Sequence, residues 1–144
     1  MPGINWGRSM IGIKRTAALV MAAFALAVGT AAISSATASA ANYNGVCGSS
    51  YGVVDHTDIG GGTIWLTYSS STGENCVVTV RDNPGAAEGM NAWVKLSSSP
   101  TWHQDPGNFT TYAGPVYVSA PHQCIDWGGG IESNSWTAFN THCI

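Results

Sequence analysis

Two clusters in this chain hold the residue types that acid–base and metal chemistry need. Asp55-His56-Thr57-Asp58 sets a histidine between carboxylates, and His103 with Asp105 makes a second group. His122 and His142 lie near the last two cysteines. A general acid–base pair or a metal centre needs two or three such groups meeting within about 3 Å in a pocket. These spacings match no recognised catalytic or metal-binding set. In a domain so poor in charge, the same residues also serve to solvate loops. No catalytic residue, metal or cofactor is assigned from them.

Nucleophilic chemistry fares no better. Serines are plentiful, but the G-x-S-x-G elbow is absent. The cysteines, Cys47, Cys76, Cys124 and Cys143, are four in number. They contain no C-x-x-C pair, which argues against zinc. An even count in a small domain, with the export pattern of the N-terminus described below, reads as disulfides, and an oxidised cysteine offers no thiolate. Four cysteines allow three pairings; the sequential one, Cys47–Cys76 and Cys124–Cys143, is favoured here. Gly60-Gly61-Gly62 is followed by Thr63 and a strand pattern, not by the Gly-Lys-Ser/Thr ending of a phosphate loop. The expectation is a protein that is not an enzyme.

Aromatic binding is the remaining chemistry. Trp65, Trp93, Trp102, Trp127 and Trp136 all fall after residue 40. Trp65 and Trp93 alternate with aliphatic neighbours, so each sits on the strand face opposite the aliphatic one. If those faces are solvated, Trp65, Trp93 and Trp102 form a platform for a sugar ring or a protein partner. If both faces of each sheet are covered, the tryptophans supply core instead. The sequence leaves both readings open.

These residues must be positioned by strands. Tyr51–Asp55, Thr63–Tyr68, Cys76–Arg81, Met90–Leu96, Tyr112–Ala120, Cys124–Trp127 and Ser135–Cys143 are rich in β-formers or alternate in polarity. Ser69–Asn75 is a turn, so the second and third strands form a hairpin. Asp82-Asn83-Pro84-Gly85 is a strong turn signal. Gly114-Pro115 inside a strand marks an edge or a bend. Ser97–Thr111 reads as a long polar loop and Gly128-Gly129-Gly130 as a flexible turn. No segment keeps a helical period. Six or seven short strands predict an all-β fold, a small antiparallel β-sandwich or barrel with two disulfides.

The N-terminus differs from the rest. Arg8, Lys14 and Arg15 precede an uncharged apolar run, Ala17–Ile33, and then the small residues 34–41. That order is the signature of a secretory signal peptide. The favoured cleavage follows Ala38-Ser39-Ala40, with Ala36-Thr37-Ala38 as the second site. Residues 1–40 are thus read as the signal peptide and residues 41–144 as one secreted β domain. The domain keeps two cations, Arg81 and Lys95, against eight acids, a formal charge of −6. Such a domain cannot neutralise a phosphate backbone or dock on anionic lipid. Nucleic acid and membrane are therefore excluded as partners of the mature chain, and its oligomeric state is left open.

Several blocks resemble a known family. They are Gly45-Val46-Cys47-Gly48, Tyr51–Asp55, Asn75-Cys76-Val77-Val78-Thr79 and Cys124-Ile125-Asp126-Trp127-Gly128-Gly129. Ser135-Trp136 and His142-Cys143 belong with them. The most specific block runs from Asp105-Pro106-Gly107-Asn108-Phe109-Thr110 to Gly114-Pro115-Val116. Together they resemble the spore-associated protein A family of filamentous actinobacteria. The resemblance covers nearly all of the mature domain and implies secretion and deposition on aerial hyphae or spores. It carries no catalytic residues across. The function expected is a non-enzymatic secreted protein of the spore or cell surface, whose partners are cell-wall or spore-surface components. A wall-polysaccharide-binding module using exposed tryptophans is the alternative, and a small hydrolase using Asp55, His56, His103 or Asp105 is a third.

Overall fold

The computed structural model describes residues 41–143. The basic, apolar and small-residue regions read as an export signal lie outside the described residues. Nine strands are present: β1 (Gly52–Asp58), β2 (Gly62–Ser69), β3 (Glu74–Arg81), β4 (Glu88–Leu96), β5 (His103–Gln104), β6 (Gly107–Phe109), β7 (Tyr112–Ser119), β8 (Ile125–Ile131) and β9 (Asn134–Thr141). There is no helix among the described residues. All pairings are antiparallel. The first sheet has the order β1-β2-β3-β7, and the second β5-β4-β8-β9, with β6 also paired to β4.

The two sheets face each other as a β-sandwich. Alternation decides which side chains enter the space between them. Ile64 and Leu66 of β2, Val77 of β3, Val116 and Val118 of β7, Ala92 and Val94 of β4, and Ile125 and Trp127 of β8 form one cluster. Trp127 is fully buried, and its indole N–H donates to Thr141 Oγ1 at 3.1 Å. The indole therefore brings its polar atom into the core with a partner already supplied.

Three expectations are corrected. Gly128-Gly129-Gly130 is not a turn; it is the middle of β8, an inner strand of the second sheet. Glycine is needed there because neighbours approach on both faces. A Cβ on Gly129 would run into the Thr79 hydroxyl and lie 3.1 Å from Ile64, both of the facing sheet. A Cβ on Gly128 would meet the Trp93 indole nitrogen at 2.6 Å. Glycine inside a strand marks such close approach. Second, the loop expected over Ser97–Thr111 contains β5 and β6, which both hydrogen-bond to β4. Two- and three-residue strands are too short to show alternation. Third, the strand count is nine and not six or seven. Gly114-Pro115 does lie on an edge strand, because β7 pairs only with β3.

Both disulfides adopt the sequential pairing, Cys47–Cys76 and Cys124–Cys143, closing separations of 29 and 19 residues. The first ties residues 41–51 to the outer face of the first sheet, because Cys76 alternates with the core residue Val77. The second ties the end of the chain to the entry of β8.

Candidate functional site

The two acid–histidine groups do not converge. Asp55 and His56 are on β1, the edge of the first sheet, and β1 has only β2 beside it. His103 is on β5, at the edge of the second sheet that lies beside β7. The groups thus occupy opposite edges of the sandwich. Asp55 instead meets His142, Oδ2 to Nε2, at 3.6 Å. His56 stacks on Trp65 with ring centroids 4.7 Å apart. Asp105 is occupied structurally, accepting the Gly114 amide at 2.8 Å. Among the described residues no three His, Cys, Asp or Glu side chains are grouped so as to hold a metal ion.

The tryptophans separate into three settings. Trp127 is core, and Trp136 packs edge-on against it at 5.0 Å. Trp65 is on the outer face of the first sheet, where residues 41–51 cross. Tyr43 lies over it at 6.1 Å, and Thr63 and Thr67 beside it are fully buried. The same segment is held by Tyr117, whose hydroxyl donates to the Cys47 carbonyl at 3.3 Å. Tyr51 donates its hydroxyl to Glu74. Burial, then the hydrogen bond to Glu74 and its negative charge, pushes the Tyr51 hydroxyl up to about 12.

Trp93 and Trp102 come together on the outer face of the second sheet. On β4 the outward residues are Asn91, Trp93 and Lys95, alternating with the core residues Ala92 and Val94. Trp93 stands opposite Gly128, and Asn91 opposite Gly130. Cβ atoms built on Gly128 and Gly130 would lie 2.6 and 3.6 Å from the Trp93 indole. The indole therefore rests on bare β8 backbone, and its N–H donates to Thr137 Oγ1 of β9 at 3.1 Å. Two open hollows share Asn91 and Trp93. One, of about 550 Å³, extends toward Asn108, Glu132 and Ser135. The other, of about 330 Å³, extends toward Trp102, Gln104 and Phe139. Phe139 is 66% exposed.

Both ends of this face are fixed. At one end Lys95 Nζ lies 2.7 Å from Asp126 Oδ2, and the pair is largely buried. Lys95 also sits 5.1 Å from the Trp102 ring centroid, which places the indole by cation–π attraction. Asp126 accepts further bonds from the Ser97 hydroxyl at 2.6 Å and the Asn140 amide at 2.8 Å. Burial alone would raise its carboxyl. The hydrogen bonds from Lys95, Ser97 and Asn140, with the Lys95 charge, outweigh that and hold it below the ordinary carboxylate value. At the other end Glu132 occupies the β8–β9 turn with φ +51° and is tied to β4 in both directions. Its amide donates to the Gly89 carbonyl at 2.7 Å, and its Oε1 accepts the Gly89 amide at 2.6 Å.

Sequence reasoning missed Asn91, Glu132 and Phe139 as parts of this face. Alternation along β4 places Asn91 beside Trp93. Glu132 and Phe139 required knowing that the triple glycine is a strand whose partner is β9.

The class defined is a two-sheet antiparallel β-sandwich, disulfide-tied near both ends of the described chain, with one outer face covered and the other bearing an aromatic groove. The chain is 41% identical over 134 residues to Spore-associated protein A of Streptomyces coelicolor (strain ATCC BAA-471 / A3(2) / M145), covering 92% of this chain and 87% of that protein. The chain belongs to the spore-associated protein A family. No protein-family model matches it, and no solved structure does.

Proposed function

We propose that the protein is exported and acts outside the cell as a non-enzymatic component associated with the spore or cell surface. The family carries this reading: the relative is by name spore-associated. Three observations support it. All four cysteines are oxidised in pairs, which suits an oxidising compartment. The match of 134 residues is longer than the 104-residue β domain, so it runs into the region with the export pattern. The acid and histidine groups that a hydrolase would use stand at opposite edges of the sandwich.

Fractionation tests the proposal. Culture medium, washed cell walls and purified spores are probed with an antibody against the mature domain. The protein is expected in the wall or spore fraction, starting at Ala41, with no free thiol. Recovery from the medium alone would end the surface role, and recovery from the cytosol would end export.

A further inference from the structure

We propose that the outer face of the β4–β8–β9 sheet is a glycan-binding groove, and that its ligand is a neutral β-1,4-linked pyranose chain. This deepens the surface reading and rests on it for the place where such a ligand is met. The Trp93 indole is the fixed point of the groove. Its inner face rests on the bare backbone of Gly128 and Gly130, and its N–H is held by Thr137. The other side borders both hollows. A ring fixed in this way loses little freedom when a ligand stacks on it. Trp102 and Phe139 continue the aromatic surface.

The groups around the ring choose the ligand. Asn91, Gln104 and Asn108 supply planar amides, and Glu132 supplies a carboxylate. Such groups donate to and accept from adjacent hydroxyls at fixed geometry. The Asn91 side chain lines both hollows and so lies where they meet. A pyranose in the β-1,4 series presents a flat C–H face for stacking and a rim of hydroxyls for these polar groups. A stable protein partner would bury about 800 Å² on each side, whereas two open hollows in line suit a narrow chain.

Shape and charge narrow the choice. The hollows are open and consecutive across β4 and its neighbours, roughly 5 Å of width per strand, which suits an extended chain better than one sugar end. With a formal charge of −6 on residues 41–144 and Glu132 at the groove, a polyanion is repelled. The one nearby cation, Lys95, is already paired with Asp126.

Co-sedimentation of the disulfide-bonded protein with insoluble chitin, microcrystalline cellulose and peptidoglycan sacculi tests this. Retention on chitin or cellulose is expected, and retention on the anionic sacculi alone would overturn the assignment of a neutral chain. Trp93→Ala should weaken it about tenfold or more, as loss of a stacking ring does. Trp93→Phe should keep most of it, and Trp65→Phe, on the other sheet, should match the wild type. If Trp93→Ala does not fold, judged by near-UV circular dichroism, Phe139→Ala and Asn108→Ala at the groove margins replace it, each expected to weaken retention severalfold. No retention on any polymer, or retention indifferent to the groove variants, overturns the proposal. A protein found on spores yet indifferent to all three polymers would leave the surface reading standing and remove the groove. A protein found only in the medium that still binds a glycan through Trp93 would do the reverse.

Discussion

The outer faces of the two sheets are built from one pattern and end in opposite states. Each has a central strand with a tryptophan at an outward position, Trp65 on β2 and Trp93 on β4. Over Trp65 the chain itself returns: residues 41–51 cross the face, and Cys47–Cys76 fastens them. Over Trp93 nothing in the described chain returns, and the ring borders two hollows. The first face has become a second, small core in which Thr63, Thr67, Cys76 and Val78 are fully buried. The second has stayed a surface, with its polar groups fixed from below by Lys95–Asp126 and Glu132–Gly89. A tryptophan on an outward strand position is thus structural or available according to what the rest of the chain does with that face.

The contrast is broken most severely at the covered face. Replacing Cys47 and Cys76 together by serine removes a cross-link spanning 29 residues, worth about 3–4 kcal/mol in the chain-entropy model. Urea unfolding should register that loss, and Trp65 fluorescence should shift to the red as residues 41–51 lift. An unshifted Trp65 would mean that packing, and not the disulfide, holds the segment.

The largest effect expected at the open face is Asp126→Asn. It leaves the Lys95 ammonium buried without its counter-charge, a loss of about 3 kcal/mol at neutral pH. It should also free the Trp102 ring by moving Lys95. The carboxyl of Asp126 is held below its unfolded value of about 3.9. Its contribution is therefore complete above that value and is lost as pH falls through the lower, folded one. The wild type should lose stability below about pH 4 more steeply than Asp126→Asn. Equal acid slopes for the two proteins would contradict this assignment.

Trp65→Ala comes next, at about 2 kcal/mol for a half-buried indole, with glycan retention unchanged. The covered face has an alkaline counterpart to Asp126. Tyr51 is raised to about 12, so the folded state keeps a proton that the unfolded chain loses near pH 10. Its contribution is complete below about pH 10 and fades as pH rises through about 12. Burial also raises Tyr117, so absorbance titration at 295 nm should show a late tyrosine step to which Tyr51 and Tyr117 both contribute, and Tyr51→Phe should make that step smaller. Smallest of all, Phe139→Ser should change stability by less than about 0.5 kcal/mol, because the ring is 66% exposed. A larger loss would mean that the open face is packed as the other one is.

Much of this architecture was legible in the residues. Alternation in Thr63–Tyr68 and Met90–Leu96 placed β2 and β4 and assigned Trp65 and Trp93 to outward faces. The cysteine count left three pairings open, and the sequential one favoured among them is the one the structure holds. The triple glycine misled, because glycine carries no side chain by which alternation can be read. Its reason for being in a strand lies in Thr79, Ile64 and Trp93, distant in sequence. β5 and β6 were hidden by their length. Which tryptophan faces solvent was not readable from the strands, since the two patterns match. One clue was present: alternation puts Cys76 on the same outer face as Trp65's neighbours, so a Cys47–Cys76 bond must carry residues near Cys47 across that face.

The central claim is that one face of this sandwich is covered and the other receives a glycan. It is tested most directly by two-dimensional ¹H–¹⁵N spectra of the disulfide-bonded protein titrated with chitohexaose and cellohexaose. The indole N–H signals report each tryptophan separately. Trp93 and Trp102 are expected to move with one of the two sugars while Trp65 and Trp127 stay still. Movement of Trp65 with Trp93 unmoved, or no movement of any indole with either sugar, would contradict it.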